Sequence, residues 1–89
     1  MAEADETLTP IDQMRDLVDF LARQLVDRPE EVRVTAVQEP RRVRLELCVG
    51  PGDLGKVIGR EGRTARALRT VLAALAARHG ARAILDIRE

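Results

Sequence analysis

The sequence predicts an α+β domain, with helices on one face of a three-stranded mixed sheet, in the order α-β-β-α-α-β. Three observations carry the prediction. Apolar residues recur at three- and four-residue steps in two long segments and at alternate positions in three short ones. The breaks between segments fall on Pro29, Pro40, Gly50-Pro51-Gly52, Gly59 and Gly80, residues that end regular structure through a fixed φ, a missing N–H or an easily adopted positive φ. Roughly thirty residues separate the second strand from the third, enough for a helical, right-handed crossover that brings the third strand back parallel.

Thr9 precedes Pro10, so a hydroxyl cap stands before a proline at the first helical position, and Asp12 falls in the first turn where the helix dipole favours an anion. Ile11, Met14, Leu17, Val18, Leu21 and Leu25 then mark one helical face, and the helix is predicted to end near Asp27 because Pro29 biases Arg28 away from helical angles. Asp12, Asp16 and Asp19 read as its solvated side. From Glu31 the period is two. Val32, Val34 and Ala36 alternate with charged or polar neighbours, and after the turn at Glu39-Pro40-Arg41-Arg42 so do Val43, Leu45, Leu47 and Val49. The reading is an antiparallel hairpin with one wet face, carrying Cys48. Asp53 is a candidate cap for a short helix to about Ile58, and Arg63 to His79 form a second long helix, with Ala65, Leu68, Leu72, Leu75 and Ala76 on one face. Gly80 ends it, and residues 82–88 form the last strand, where Ile84 breaks strict alternation.

Composition narrows the function. Eighty-nine residues make one small domain, without room for a two-domain enzyme. Phe20 is the only aromatic residue, which argues against surfaces that stack bases or sugars on rings. The net charge of zero hides a polarity: residues 1–40 hold ten acidic side chains against four arginines, and residues 41–89 hold eleven basic against five acidic. The basic half can attract phosphate. A lone cysteine forms no intramolecular disulfide and no cysteine cluster, which together with the acidic Met1 to Thr7, lacking the basic and apolar regions of a signal peptide, leads to a cytoplasmic expectation. No apolar run approaches the about 18 residues needed to cross a bilayer, so no membrane role is expected. Residues 1–8 read as a flexible acidic lead and 9–89 as the domain.

Three glycine patterns overlap between Gly50 and Gly62. Gly50-x-Gly52-x-x-Gly55 matches a dinucleotide fingerprint, but the strand before it alternates like a hairpin strand and the chain is too short for an open doubly wound sheet. Gly50 to Lys56 matches most of a P-loop, but Val57 stands where a hydroxyl would hold magnesium. The third is Gly59-Arg60-Glu61-Gly62 between two helices. Two glycines flanking two polar residues let the backbone turn sharply and approach a phosphodiester, with N–H groups facing the anion. The plain alternative is a tight helix-helix turn. Lys56, Arg60, Arg63, Arg66 and Arg69 lie within fourteen residues, opposed only by Glu61, and that density favours a nucleic-acid clamp. No residues suggest catalysis, a metal or a cofactor: His79, the only histidine, sits where a helix C-terminus stabilises a cation.

The element order, with the run Gly55 to Thr70 at its centre, resembles a type II KH domain, and in detail the small bacterial single-KH proteins of the KhpA family. The resemblance covers about Thr9 to Arg88. It implies a protein that clamps single-stranded RNA through the GXXG loop, an RNA chaperone or post-transcriptional regulator. It implies action as a homodimer or with a second KH protein, KhpB, and links to cell shape and cell wall biogenesis. The RNA-binding residues it implies are Gly59, Arg60, Glu61 and Gly62 on the backbone, Lys56, Arg63 and Arg66 on phosphates, and Leu54, Val57 and Ile58 under the bases. The bases would lie in a groove between the central helices and the second strand. Preference for RNA over DNA is likewise implied only by the resemblance. Two residues depart from it: Thr64 stands where an aliphatic residue is expected, which would loosen packing behind the loop, and Glu61 puts an anion inside the clamp. Replacing Gly59 and Gly62 with aspartate is expected to abolish RNA binding and leave the domain folded. The competing reading is a protein-interaction or ribosome-assembly adaptor whose loop is mainly structural.

Overall fold

In the computed structural model, which describes residues 8–89, the elements follow the predicted order. The acidic lead expected over 1–8 lies, except for Leu8, outside the described residues. Helix α1 (Pro10–Leu25) opens with a capping box: Thr9 Oγ1 accepts from the Asp12 N–H at 3.0 Å, and the Thr9 N–H donates to Asp12 Oδ2 at 3.3 Å. Its inward face buries Met14, Val18 and Ala22. The helix stops at Leu25, short of Asp27. Val26 is extended, and the N–H groups of Asp27 and Arg28 donate to the two carboxylate oxygens of Asp53, at 3.2 and 3.0 Å. Asp53 therefore does not cap the short helix that follows it, as the sequence suggests. Its buried side chain pins the end of α1 instead.

A 3₁₀ turn at Pro29–Glu31 leads into β1 (Arg33–Gln38), then β2 (Val43–Cys48). After α2 (Leu54–Ile58) and α3 (Arg63–Arg78), β3 (Ala83–Arg88) completes a sheet of order β1-β2-β3. The first pair is antiparallel, with Ala36 opposite Leu45, and the second parallel, with Leu45 opposite Leu85. The sheet is mixed, as the long crossover predicts. Alternation sends Val43, Leu45 and Leu47 toward the helices, where they are buried with Val32, Val57, Leu68, Leu72, Ala76 and Leu85. Ile84, the break in alternation, pairs with Arg44 on the opposite face. Helix α3 ends in a Schellman motif at Gly80, φ 66°, with Ala81 N–H on Ala76 O at 2.9 Å and Gly80 N–H on Ala77 O at 3.0 Å. Beside it, His79 Nε2 lies 3.1 Å from Gln13 Oε1, joining the ends of α3 and α1. Among the described residues, no helix is long and apolar enough to cross a membrane.

The sheet face away from the helices carries an ion-pair network. Glu39 accepts from Arg42 Nε at 2.7 Å and Arg44 Nε at 2.9 Å; Arg44 also pairs with Glu46. The hydrogen bonds from Arg42 and then Arg44 hold the Glu39 carboxyl below its ordinary pKa, and those from Thr9 do the same for Asp12. Both groups are more acidic folded than unfolded, so their stabilisation is complete above the ordinary carboxylate range and lost as pH falls through the depressed values. The urea midpoint is expected to fall below about pH 4.5, and to fall less steeply in an Asp12→Asn, Glu39→Gln variant. Parallel acid profiles for the two proteins would exclude these carboxylates as the source.

Candidate nucleic-acid interface

Helix α2 is five residues long and is held by Val57, whose side chain is fully buried. It ends where the Gly59 N–H donates to Gly55 O at 2.8 Å; a single turn, closed by Gly62 N–H on Gly59 O at 3.0 Å, then leads into α3. Three of four consecutive residues have positive φ: Gly59 at 78°, Glu61 at 58° and Gly62 at 74°. Glu61 is the only non-glycine residue so placed among the described residues, a conformation that costs about 1–2 kcal/mol and belongs to constrained, functional turns. Its neighbours hold it there. Arg66 Nη2 donates to its carbonyl at 3.2 Å, and Arg63 Nη2 pairs with its carboxylate at 2.9 Å. At the tip, the N–H groups of Arg60 and Glu61 meet no protein acceptor among the described residues.

The two glycines are needed for different reasons. A Cβ on Gly62 would meet nothing closer than Arg66 Nη2 at 3.9 Å, so only its φ demands glycine. A Cβ on Gly59 would overlap the Thr64 hydroxyl and stand 2.7 Å from Thr64 Cβ and 2.9 Å from its backbone nitrogen. Thr64 thus fills the space behind the loop instead of loosening it. For the same reason Gly59→Asp is not the surface change the sequence suggests, because it pushes against the first turn of α3.

The structure gathers Gly59, Arg60, Glu61, Gly62, Arg63 and Arg66 at one end of the domain. Arg60 is exposed and has no carboxylate within 4.0 Å among the described residues. Arg69 is diverted: its Nε and Nη2 both donate to Leu85 O on β3, at 3.1 and 2.9 Å. Lys56 Nζ sits 3.3 Å from Asp27 Oδ2 and 4.0 Å from Asp53 Oδ1, so its charge is spent at the pinned end of α1. Leu54 and Ile58 are half-buried, but Val57 faces the core and offers bases nothing. Nor can β2 border a groove. It is the central strand, paired on both sides, and the strand that touches both α2 and α3 is β3. Sequence reasoning missed Asp53 and Thr64 as supports of the loop. Thr64's polarity at an expected aliphatic position was the one available signal.

Three helices on a mixed sheet whose first pair is antiparallel and second parallel, with a glycine-bounded turn between α2 and α3, define a type II KH domain. The family model for the KhpA/KhpB KH domain matches residues 15–87, and the chain belongs to that family. It is similar to the RNA-binding protein KhpA of Aquifex aeolicus (strain VF5), 47% identical over 76 residues that cover 85% of this chain and 96% of the relative. RNA-binding protein KhpA of Chlamydia pneumoniae is 45% identical over 76 residues, 85% of this chain and 97% of its own. That of Clostridium perfringens (strain 13 / Type A) is 45% identical over 74 residues, 83% of this chain and 99% of its own. No solved structure matches the chain.

Proposed function

We propose that this chain binds single-stranded RNA at the turn between α2 and α3, with Gly59, Arg60, Glu61 and Gly62 against the sugar-phosphate backbone and Arg60, Arg63 and Arg66 around it. One observation carries the reading: two neighbouring N–H groups, of Arg60 and Glu61, stand without protein acceptors among the described residues, between the positive-φ glycines Gly59 and Gly62 and beside an arginine rim. Oxyanions are the natural ligands of such a turn. The choice of RNA rests on the similarity to relatives that are RNA-binding proteins. The reading requires no catalytic group and places the protein in the cytoplasm as an RNA chaperone or post-transcriptional regulator, with a role in cell shape and wall biogenesis. One such turn makes few contacts, so a second copy, or the KhpB type of partner that the family's name pairs with it, would supply affinity through linkage.

The adaptor reading draws support from Glu61, whose carboxylate already pairs with Arg63. Salt separates the two. With ~3 phosphates engaged on a single strand, log affinity is expected to fall with log salt at a slope of about −2. Arg60→Ala with Arg63→Ala is expected to lower affinity about tenfold and flatten that slope by about 1.4, at unchanged melting temperature. Absence of salt-dependent binding to single-stranded RNA in a mobility-shift titration would leave the adaptor reading.

A further inference from the structure

We propose that RNA bound at the turn lies directly against the main chain of α2 at Gly55, where a nucleotide takes up the space that a side chain would fill. The inference rests on the RNA reading above and deepens it by adding Gly55 to the contact surface.

Gly55 is a glycine that the fold does not ask for. The chain has six glycines. Gly52, Gly59, Gly62 and Gly80 take positive φ, and a Cβ on Gly50 would stand 2.9 Å from Glu31 Cβ. Gly55 shares neither constraint. It lies inside α2 without a positive φ, and among the described residues a Cβ placed on it meets no atom within 4 Å. Its carbonyl accepts the Gly59 N–H at 2.8 Å, an ordinary helical bond that any residue can make. Glycine in a helix is destabilising relative to alanine, because the unfolded chain has more conformational freedom to lose. The sequence therefore carries a residue that weakens α2 and relieves no contact within the chain. A glycine so placed marks the close approach of a ligand to the backbone.

Its position says which ligand. Gly55 and Gly59 are four residues apart, so they stand one above the other on α2, about 6 Å apart along its axis. Val57, midway between them, is fully buried, which turns both glycines outward, and Gly55 is exposed. This side of α2 runs straight into the turn whose Arg60 and Glu61 N–H groups meet no protein acceptor among the described residues. Leu54 and Ile58, half-buried and also four apart, flank it. A free phosphate held at the turn would leave Gly55 untouched. A phosphodiester there brings its next nucleotide beside α2, where ribose or base lies flat on peptide atoms between the two aliphatic side chains. The contact is one of shape, with no charge at its centre.

The test compares wild type, Gly55→Ala and Gly55→Leu by melting temperature and by affinity for a fluorescein-labelled, random-sequence single-stranded RNA of about eight nucleotides, twice what one GXXG turn holds. Affinity is read by fluorescence anisotropy across a salt series. Gly55→Ala is expected to melt about 4 °C higher and to bind about fivefold more weakly, and Gly55→Leu to bind more weakly again. The salt slope should keep its wild-type value, because no phosphate contact is removed. Stability and affinity then move in opposite directions, which damage to the fold does not produce. Unchanged affinity in both variants, or a loss that accompanies a lower melting temperature, overturns the contact. A shallower salt slope overturns it as well, by assigning the loss to phosphate. Failure of the wild type to bind the strand overturns the RNA reading itself, and so is distinguishable from failure of the Gly55 contact, which is judged only against a wild type that binds.

Discussion

Gly59→Ala is expected to lower the melting temperature by about 15 °C, and Gly62→Ala by only about 5 °C, although both glycines have positive φ. The backbone at Gly59, φ 78° and ψ 168°, lies in a region that is essentially glycine-only and costs other residues about 1–3 kcal/mol. The new methyl would also stand 2.9 Å from the Thr64 nitrogen, a backbone atom that cannot swing aside as a side chain can. Together these cost about 3 kcal/mol, and a domain of this size loses about 4–8 °C for each. Gly62, at φ 74° and ψ 14°, asks only for the left-handed region, worth about 1 kcal/mol, and its side chain would point into open space. Differential scanning fluorimetry reads both. Equal losses would mean that Thr64 yields and that the contact behind the turn is soft. RNA affinity should follow the same order, because a displaced Thr64 moves the start of α3.

Asp53→Ala should be nearly as costly. The buried carboxylate accepts from the Asp27 and Arg28 N–H groups and sits 4.0 Å from Lys56 Nζ. Hydrogen bonds to a charged acceptor are worth about 1.5–3 kcal/mol each. Partial rehydration of the freed N–H groups reduces the combined loss to about 3 kcal/mol. Asp53→Asn keeps one acceptor oxygen and should lose about half as much. Urea denaturation at pH 7 distinguishes the three proteins. A wild-type midpoint for Asp53→Ala would show that the junction of α1, the 3₁₀ turn and α2 is held by apolar packing alone. Because α2 carries the proposed RNA-binding turn at its other end, the alanine variant should also bind RNA more weakly without any change in the turn's own residues.

What could be read in the sequence was what depends on neighbours along the chain. The three-and-four spacing of Met14 and Val18 and of Leu68, Leu72 and Ala76 named buried positions of α1 and α3, though not Ala22, and alternation named Val43, Leu45 and Leu47. Thr9 and Gly80 marked caps that the structure contains in full. The glycine turn was visible because its requirement is local. Partners distant in sequence were invisible. Asp53 reads as a cap until Asp27 and Arg28, some 25 residues earlier, claim its oxygens. Lys56 reads as a phosphate ligand until the fold supplies Asp27 to it, and Arg69 counts in the basic density around the turn until the Leu85 carbonyl claims it. Val57 reads as part of a binding wall because a five-residue helix is too short for its apolar spacing to say which side faces in.

The grip of Arg69 on Leu85 has a consequence for how the molecule avoids its own kind. Carbonyls alternate in direction along a strand, and since Arg82 O and Arg88 O point inward to β2, those of Ala83, Leu85 and Ile87 point out along the margin of β3. A guanidinium clamped on the middle one denies a foreign strand its central acceptor and leaves a fixed cation in its path, two familiar deterrents to fibre growth. If copies of this chain ever zip together by their sheets, they should do so through β1.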